Sequence, residues 1–140
     1  MGRQIGKKKA EELKIDKLIS WLSTKFKDFT DKRGRNASIK LKDSLLSGFA
    51  MFSLKDKSVL KFNNIRNDRE ENLKQVYKID QAPSDTGMRK ILDKVNLQEL
   101  KGVFKGLVNK LRKVGIWKNY EYFRGHIICS VDGVHHFSSE

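Results

Sequence analysis

Most of this chain repeats apolar residues every three or four positions, the period of a helix with one buried face. From Ala10 to Phe29 the stripe runs through Leu13, Leu18, Leu22, Phe26 and Phe29, with Ile15, Ile19 and Trp21 beside it and Lys14, Lys17, Lys25 and Lys27 interspersed. That spacing predicts an amphipathic helix with a basic outer face. Gly34 breaks the pattern, and Ser38 is placed to cap a second helix. There Leu41, Leu45, Leu46, Phe49, Ala50 and Phe52 cover most of the circumference, so the helix is expected at the centre of the core. Its mid-helix Ser44, Ser47 and Gly48 predict a close helix–helix crossing. Residues 56–64 read as a short helix or turn tucking in Val59, Leu60 and Phe62.

Residues 67–95 carry the clearest supersecondary signal. Asn67 and Asp68 open a helix with Glu70 and Glu71 in its first turn, where carboxylates suit the helix dipole, and Leu73, Val76, Tyr77 and Ile79 supply its buried stripe. Asp80-Gln81-Ala82-Pro83 forms a turn, after which Ser84-Asp85-Thr86 starts a second helix containing Met88, Ile91, Leu92 and Val95. Two short helices around a tight turn read as a helix-turn-helix-like unit. A longer helix follows from Leu97 to Val114, with Leu100, Val103, Phe104, Leu107, Val108 and Leu111 inward and Gly115 as its C-cap. Trp117, Tyr120, Tyr122 and Phe123 then lead into an apolar run from His126 to Val131, expected to be a buried strand. A lone strand needs partners. The expected class is therefore mainly α, a helical domain over 10–115, preceded by a basic arm at 1–9 and followed over 116–140 by a linker and a strand that has lost its sheet.

Composition sharpens this picture. The 140 residues carry a formal net charge of +13, and residues 1–66 hold 17 Lys/Arg against 7 Asp/Glu, whereas residues 67–95 hold 6 of each. So uneven a distribution points to a polyanion at the front of the chain, with a solvated lysine-rich surface as the plain alternative. Anionic lipid fits less well, because no basic helix shows a broad insertion face. No apolar run reaches the ~18 residues of a membrane span, and the single Cys129 forms no internal disulfide. A cytoplasmic protein is expected.

Three segments resemble one family. Leu41-Lys42-Asp43-Ser44-Leu45-Leu46-Ser47-Gly48-Phe49-Ala50-Met51-Phe52-Ser53-Leu54-Lys55, then Pro83-Ser84-Asp85-Thr86-Gly87-Met88-Arg89, then Val131-Asp132-Gly133 with Phe137-Ser138-Ser139, look like the N-terminal part of bacterial insertion-sequence transposases of the DDE class. The resemblance spans residues 38–140. It implies a helical region that binds the terminal inverted repeats of the element as double-stranded DNA, ahead of a ribonuclease H-like core that cuts and joins strands. It also implies a nucleoid-associated bacterial setting, and either a homodimer or pairing with full-length transposase. Asp132 matches the first catalytic aspartate at the end of the first core strand. The second aspartate and the glutamate are expected downstream, and Glu140 follows Asp132 too closely to replace the latter. Two Mg²⁺ ions would bridge the scissile phosphate in the complete enzyme, and one carboxylate does not hold both, so no cofactor is expected for this stretch alone.

Candidate DNA contacts follow from chemistry and position. Lys32, Arg33, Arg35, Lys40 and Lys42 cluster at the start of the second helix as phosphate ligands. Ser84, Thr86 and Arg89, with Lys90, sit at the start of the helix expected to meet base edges. That unit is neutral overall and reads equally as a packing or dimerisation element. His126, Cys129, His135 and His136 resemble zinc ligands in type, but residues three apart on a strand face opposite ways. Beside the transposase stand two other readings: a non-enzymatic DNA-binding regulator or truncated transposase inhibitor, and a helical protein-interaction module.

Overall fold

The computed structural model describes residue 11 and residues 13–34, 36–123 and 125–127. The helical periodicities become six α-helices in these residues: α1 (Ile15–Lys27), α2 (Leu41–Ser53), α3 (Val59–Ile65), α4 (Glu70–Gln75), α5 (Asp85–Leu92) and α6 (Leu97–Val114). A 3₁₀ turn (Ile116–Tyr120) and a small antiparallel hairpin, β1 (Glu121–Phe123) with β2 (His126–Ile127), follow. No described helix is long and apolar enough to cross a membrane.

Helix α2 is the hub. Nine of its residues are buried, among them Asp43, Ser44 and Ser47 as well as Leu41, Leu45, Leu46, Ala50 and Met51. Its serines are small enough for close approach, and each satisfies its hydroxyl within its own helix: Ser44 Oγ donates to the Lys40 carbonyl at 3.3 Å and Ser47 Oγ to the Asp43 carbonyl at 2.7 Å. The crossing expected at the small residues is with α5, where a Cβ on Gly48 would sit 3.6 Å from Leu92 Cδ1. Helix α1 covers another side through Ile19, Leu22 and Phe26, and α3 inserts the fully buried Phe62. Met88 of α5 and Leu73 of α4 complete the core.

Several sequence expectations shift. The second helix begins at Leu41 with Lys40 as its uncapped N-cap residue, so Ser38 lies outside it. Phe52 is 76% exposed and Leu60 53%, because α2 and α3 turn those faces away from every neighbour. The stripe of α1 centres on Ile19 instead of Leu18, and Ile15 is exposed. In the helical pair of residues 67–95, α4 has only six residues and the connection to α5 runs from Val76 to Ser84. That is longer than the three- or four-residue turn of a helix-turn-helix. Helix α5 packs chiefly on α2 and α3. The strand at 126 is not alone: Glu121 pairs with Ile127 and Phe123 with His126 around Gly125, whose φ of 80° suits glycine. Residues 128–132 of the expected strand lie outside the described residues.

Helix α6 ends as its sequence predicts, on Gly115 at φ 87°. Helix α2 ends on a Schellman turn without glycine. The Asp56 amide donates to the Met51 carbonyl at 3.0 Å and the Lys55 amide to the Phe52 carbonyl at 3.1 Å. Lys55 therefore holds φ at 57°, the left-handed region where a Cβ is crowded. Arg69 anchors the turn from outside, its guanidinium 2.9 Å from the nearly buried Asp56 carboxylate. Lys55→Gly is expected to stabilise the fold by about 0.5–1 kcal/mol, the relieved strain outweighing the extra unfolded-state freedom; a lowered thermal midpoint would contradict this.

Candidate nucleic-acid interface

The basic loop between α1 and α2 is built around one guanidinium. Asp31 accepts from the Arg33 backbone amide at 3.0 Å, from Arg33 Nε at 2.8 Å and from a terminal Arg33 nitrogen at 2.6 Å. The same terminal nitrogen donates to the Ile39 carbonyl at 2.9 Å. Arg33 thus ties both ends of the loop together, and its side chain is only 14% exposed. The fork-to-carboxylate hydrogen bonds hold the Asp31 pKa below its ordinary value and raise that of Arg33.

The next two cations are also engaged. Lys40 Nζ lies 3.1 Å from Asp80, which pulls the Asp80 pKa down and pushes the Lys40 pKa up. Lys42 is largely buried: its ammonium donates to the Lys78 carbonyl at 3.1 Å and lies 3.0 Å from Asp43 and 3.5 Å from Asp80. The Asp43 carboxylate sits at 1% exposure in the first turn of α2, and Lys42 approaches it as an ion pair without the alignment of a hydrogen bond. Of the five cations expected to meet phosphate, Arg33, Lys40 and Lys42 therefore serve first to fasten the loop and the start of α2. Lys32 is exposed and makes no ion pair among the described residues, and Arg35 lies outside them.

The start of α5 is capped as its sequence predicts, Ser84 Oγ accepting from the Gly87 amide at 3.2 Å. Asn63 Oδ1 accepts from the Asp85 amide at 3.3 Å, and Arg66 steadies the preceding loop by donating to the Ala82 carbonyl at 2.6 Å. Arg89 is paired with Asp85 at 2.9 Å one turn away, while Thr86 and Lys90 are exposed. The fold brings one member of each predicted cluster, Arg33 and Ser84, to a shared groove. An open groove runs between loop residues Gly34, Ala37 and Ile39 on one wall and Ser84, Gly87 and Ile91 on the other. Arg33 lines both this groove and a second one beside Lys40, Lys42 and Asp80.

Sequence reasoning missed the two carboxylates that organise this face. The Asp-x-Arg spacing of Asp31 and Arg33 is a local signal for a side chain bonding the backbone two residues on; Asp80, 40 residues from Lys40, carries none. Asp132, Cys129, His135 and His136 lie outside the described residues. Among the described residues no group of three or more His, Cys, Asp and Glu could hold a metal ion. No family model, curated protein or solved structure matches the chain.

Two outcomes follow. Lys42→Met should destabilise the fold by about 3–5 kcal/mol, since it strands the buried Asp43 charge, whereas joint replacement by Lys42→Met and Asp43→Leu should recover most of that loss; denaturant melts measure both. The stability that Asp31 draws from Arg33 is fully present above its unfolded pKa and disappears as pH falls through its lowered folded value. Carboxyl NMR titration should place the Asp31 midpoint below that of a free aspartate, and Arg33→Ala should return it there.

Proposed function

We propose that this chain is the DNA-binding helical front of an insertion-sequence DDE transposase and grips the terminal inverted repeats of the element. The observation that carries the reading is the meeting of the basic loop with the capped start of α5 on one open face. Those are two of the chain's otherwise separate signals for phosphate and for base edges. In this reading Lys32 and Lys90 bind phosphate, the first turn of α5 (Ser84, Thr86 and Arg89) faces base edges, and α4 with α5 stands as a widened helix-turn-helix. Arg33, Lys40 and Lys42 set the geometry of the loop, and Arg35 completes its charge. Lys40 and Arg89, both exposed at the ends of their ion pairs, exchange a carboxylate for a phosphate on binding.

Strand cleavage belongs to the complete enzyme. There Asp132 would be one of the carboxylates that hold two Mg²⁺ ions, and those ions would supply water activation and leaving-group stabilisation. The residues here bind and orient the duplex, in a bacterial cytoplasm and beside a second copy or the full-length protein. A regulator that covers element ends without cutting them would use the same face.

Fluorescence anisotropy with a duplex of the flanking inverted repeat tests the proposal. Log affinity should fall linearly with log salt, and Lys32→Ala or Lys90→Ala should each lower the slope by about one phosphate's worth, near 0.9. Thr86→Ala should instead alter preference among sequences at little cost in salt dependence. Salt-independent binding, or lysine variants that bind like the parent, would remove this face as the DNA site.

A further inference from the structure

Helix α6 has an apolar arc wider than the part that the other described residues cover. Its buried side chains are Val103 and Val114. A Cβ on Gly106 would stand 3.0 Å from Trp21 Cζ2, the Lys110 ammonium lies 5.3 Å over the Trp21 ring, and Thr30 holds Glu99 through its amide at 3.1 Å and its hydroxyl at 2.7 Å. Those contacts fix the covered side of the helix. Somewhat more than a third of a turn from its centre, Leu97 is 67% exposed and Phe104 60%, although the periodicity placed Phe104 inward. Leu111 and Val108 continue that strip, half-buried. Leu97, Phe104 and Leu111 fall seven apart, and Leu100, Leu107 and Val114 fill the intervening row, which is the spacing that keeps a seam along a partner helix. The strip runs for about 20 Å.

Charge says what lies on it. The open flank of the strip carries Lys101, Lys105 and Arg112, all exposed, and Arg112 rests 5.7 Å from the Trp117 ring at the surface. Glu99, the sole acidic residue of α6, is turned to the covered side by Thr30. A second copy laid antiparallel would bring this basic row against itself, which like-charge repulsion opposes. A bilayer would need a broad insertion face, and here only Leu97 and Phe104 stand well exposed, the adjoining row of Leu100, Leu107 and Val114 being partly or fully covered.

We propose that the Leu97–Phe104–Leu111 strip of α6 docks an amphipathic helix of a partner protein whose apolar seam is flanked by acidic residues. Leu97 and Phe104 are the anchors, and Lys101 and Lys105 select the charge of the partner. This surface lies on a different helix from the loop and α5 groove, so it stands or falls apart from the DNA proposal.

A labelled peptide of about three heptads, with leucine along its seam and glutamate on both flanks, probes the strip by anisotropy against the whole chain at physiological salt. The glutamate peptide should bind at least about tenfold tighter than one with lysine flanks. Phe104→Glu should weaken it by about thirtyfold, as loss of an aromatic anchor does. Because Phe104 is exposed, this variant should keep the parent's thermal midpoint and duplex affinity. Lys101→Glu with Lys105→Glu should reverse the preference between the two peptides. The proposal is overturned by an absence of peptide binding, or by binding that Phe104→Glu leaves intact. It is equally overturned if Phe104→Glu abolishes instead self-association of the chain, or its attachment to phosphatidylserine vesicles, since a second copy or a membrane would then be the occupant.

Discussion

The burial of α2 on nearly every side constrains the rest of the molecule. A helix so enclosed leaves little besides its last turn for water, so its buried polar side chains must be satisfied internally. Ser44 and Ser47 return their hydroxyls to their own backbone, and Asp43 is met by the Lys42 ammonium. Small side chains at that level let α5 approach Gly48, and the approach of α5 in turn places Ser84 and Gly87 against the loop that precedes α2. The geometry of the basic face is thus a consequence of core packing two turns away.

A large positive charge does not make every cation available. Arg33, Lys40 and Lys42 are spent partly on holding the α1–α2 connection, through Asp31, Asp80, Asp43 and two backbone carbonyls. Fixing a loop with charge-assisted bonds limits how much order must be gained when a polyanion arrives. The groups left over, Lys32, Thr86 and Lys90, are those whose positions such a framework presents. The proposed function of this surface divides cations that build it from cations left free to bind.

Long elements with clear periods were legible from residues alone: α1, α2 and α6 exist where hydrophobic spacing put them, and the Ser84 cap and the Gly115 terminus hold, although α2 starts at Leu41 without the expected Ser38 cap. The end of α4 was less so, since Tyr77 and Ile79 continue an apolar pattern after the helix itself has ended at Gln75. Their burial comes from an extended connection packed on the core, which period counting does not separate from another turn of helix. The hairpin partner of His126 was hidden in an aromatic run that carries no alternation.

Local chemistry determined which segments are helical, where α5 starts and where α6 starts and stops, and that the front of the chain is basic, because periodicity, caps and charge are properties of neighbours in sequence. Tertiary structure alone decided that Lys42 is mostly covered and Lys32 is not, that Phe52 and Phe104 face solvent, and that Gly34 and residues 36–39 border the start of α5. Each of those outcomes depends on which side of a helix meets a neighbour far away in the chain, and an apolar arc broader than its contact records no preference between its two edges.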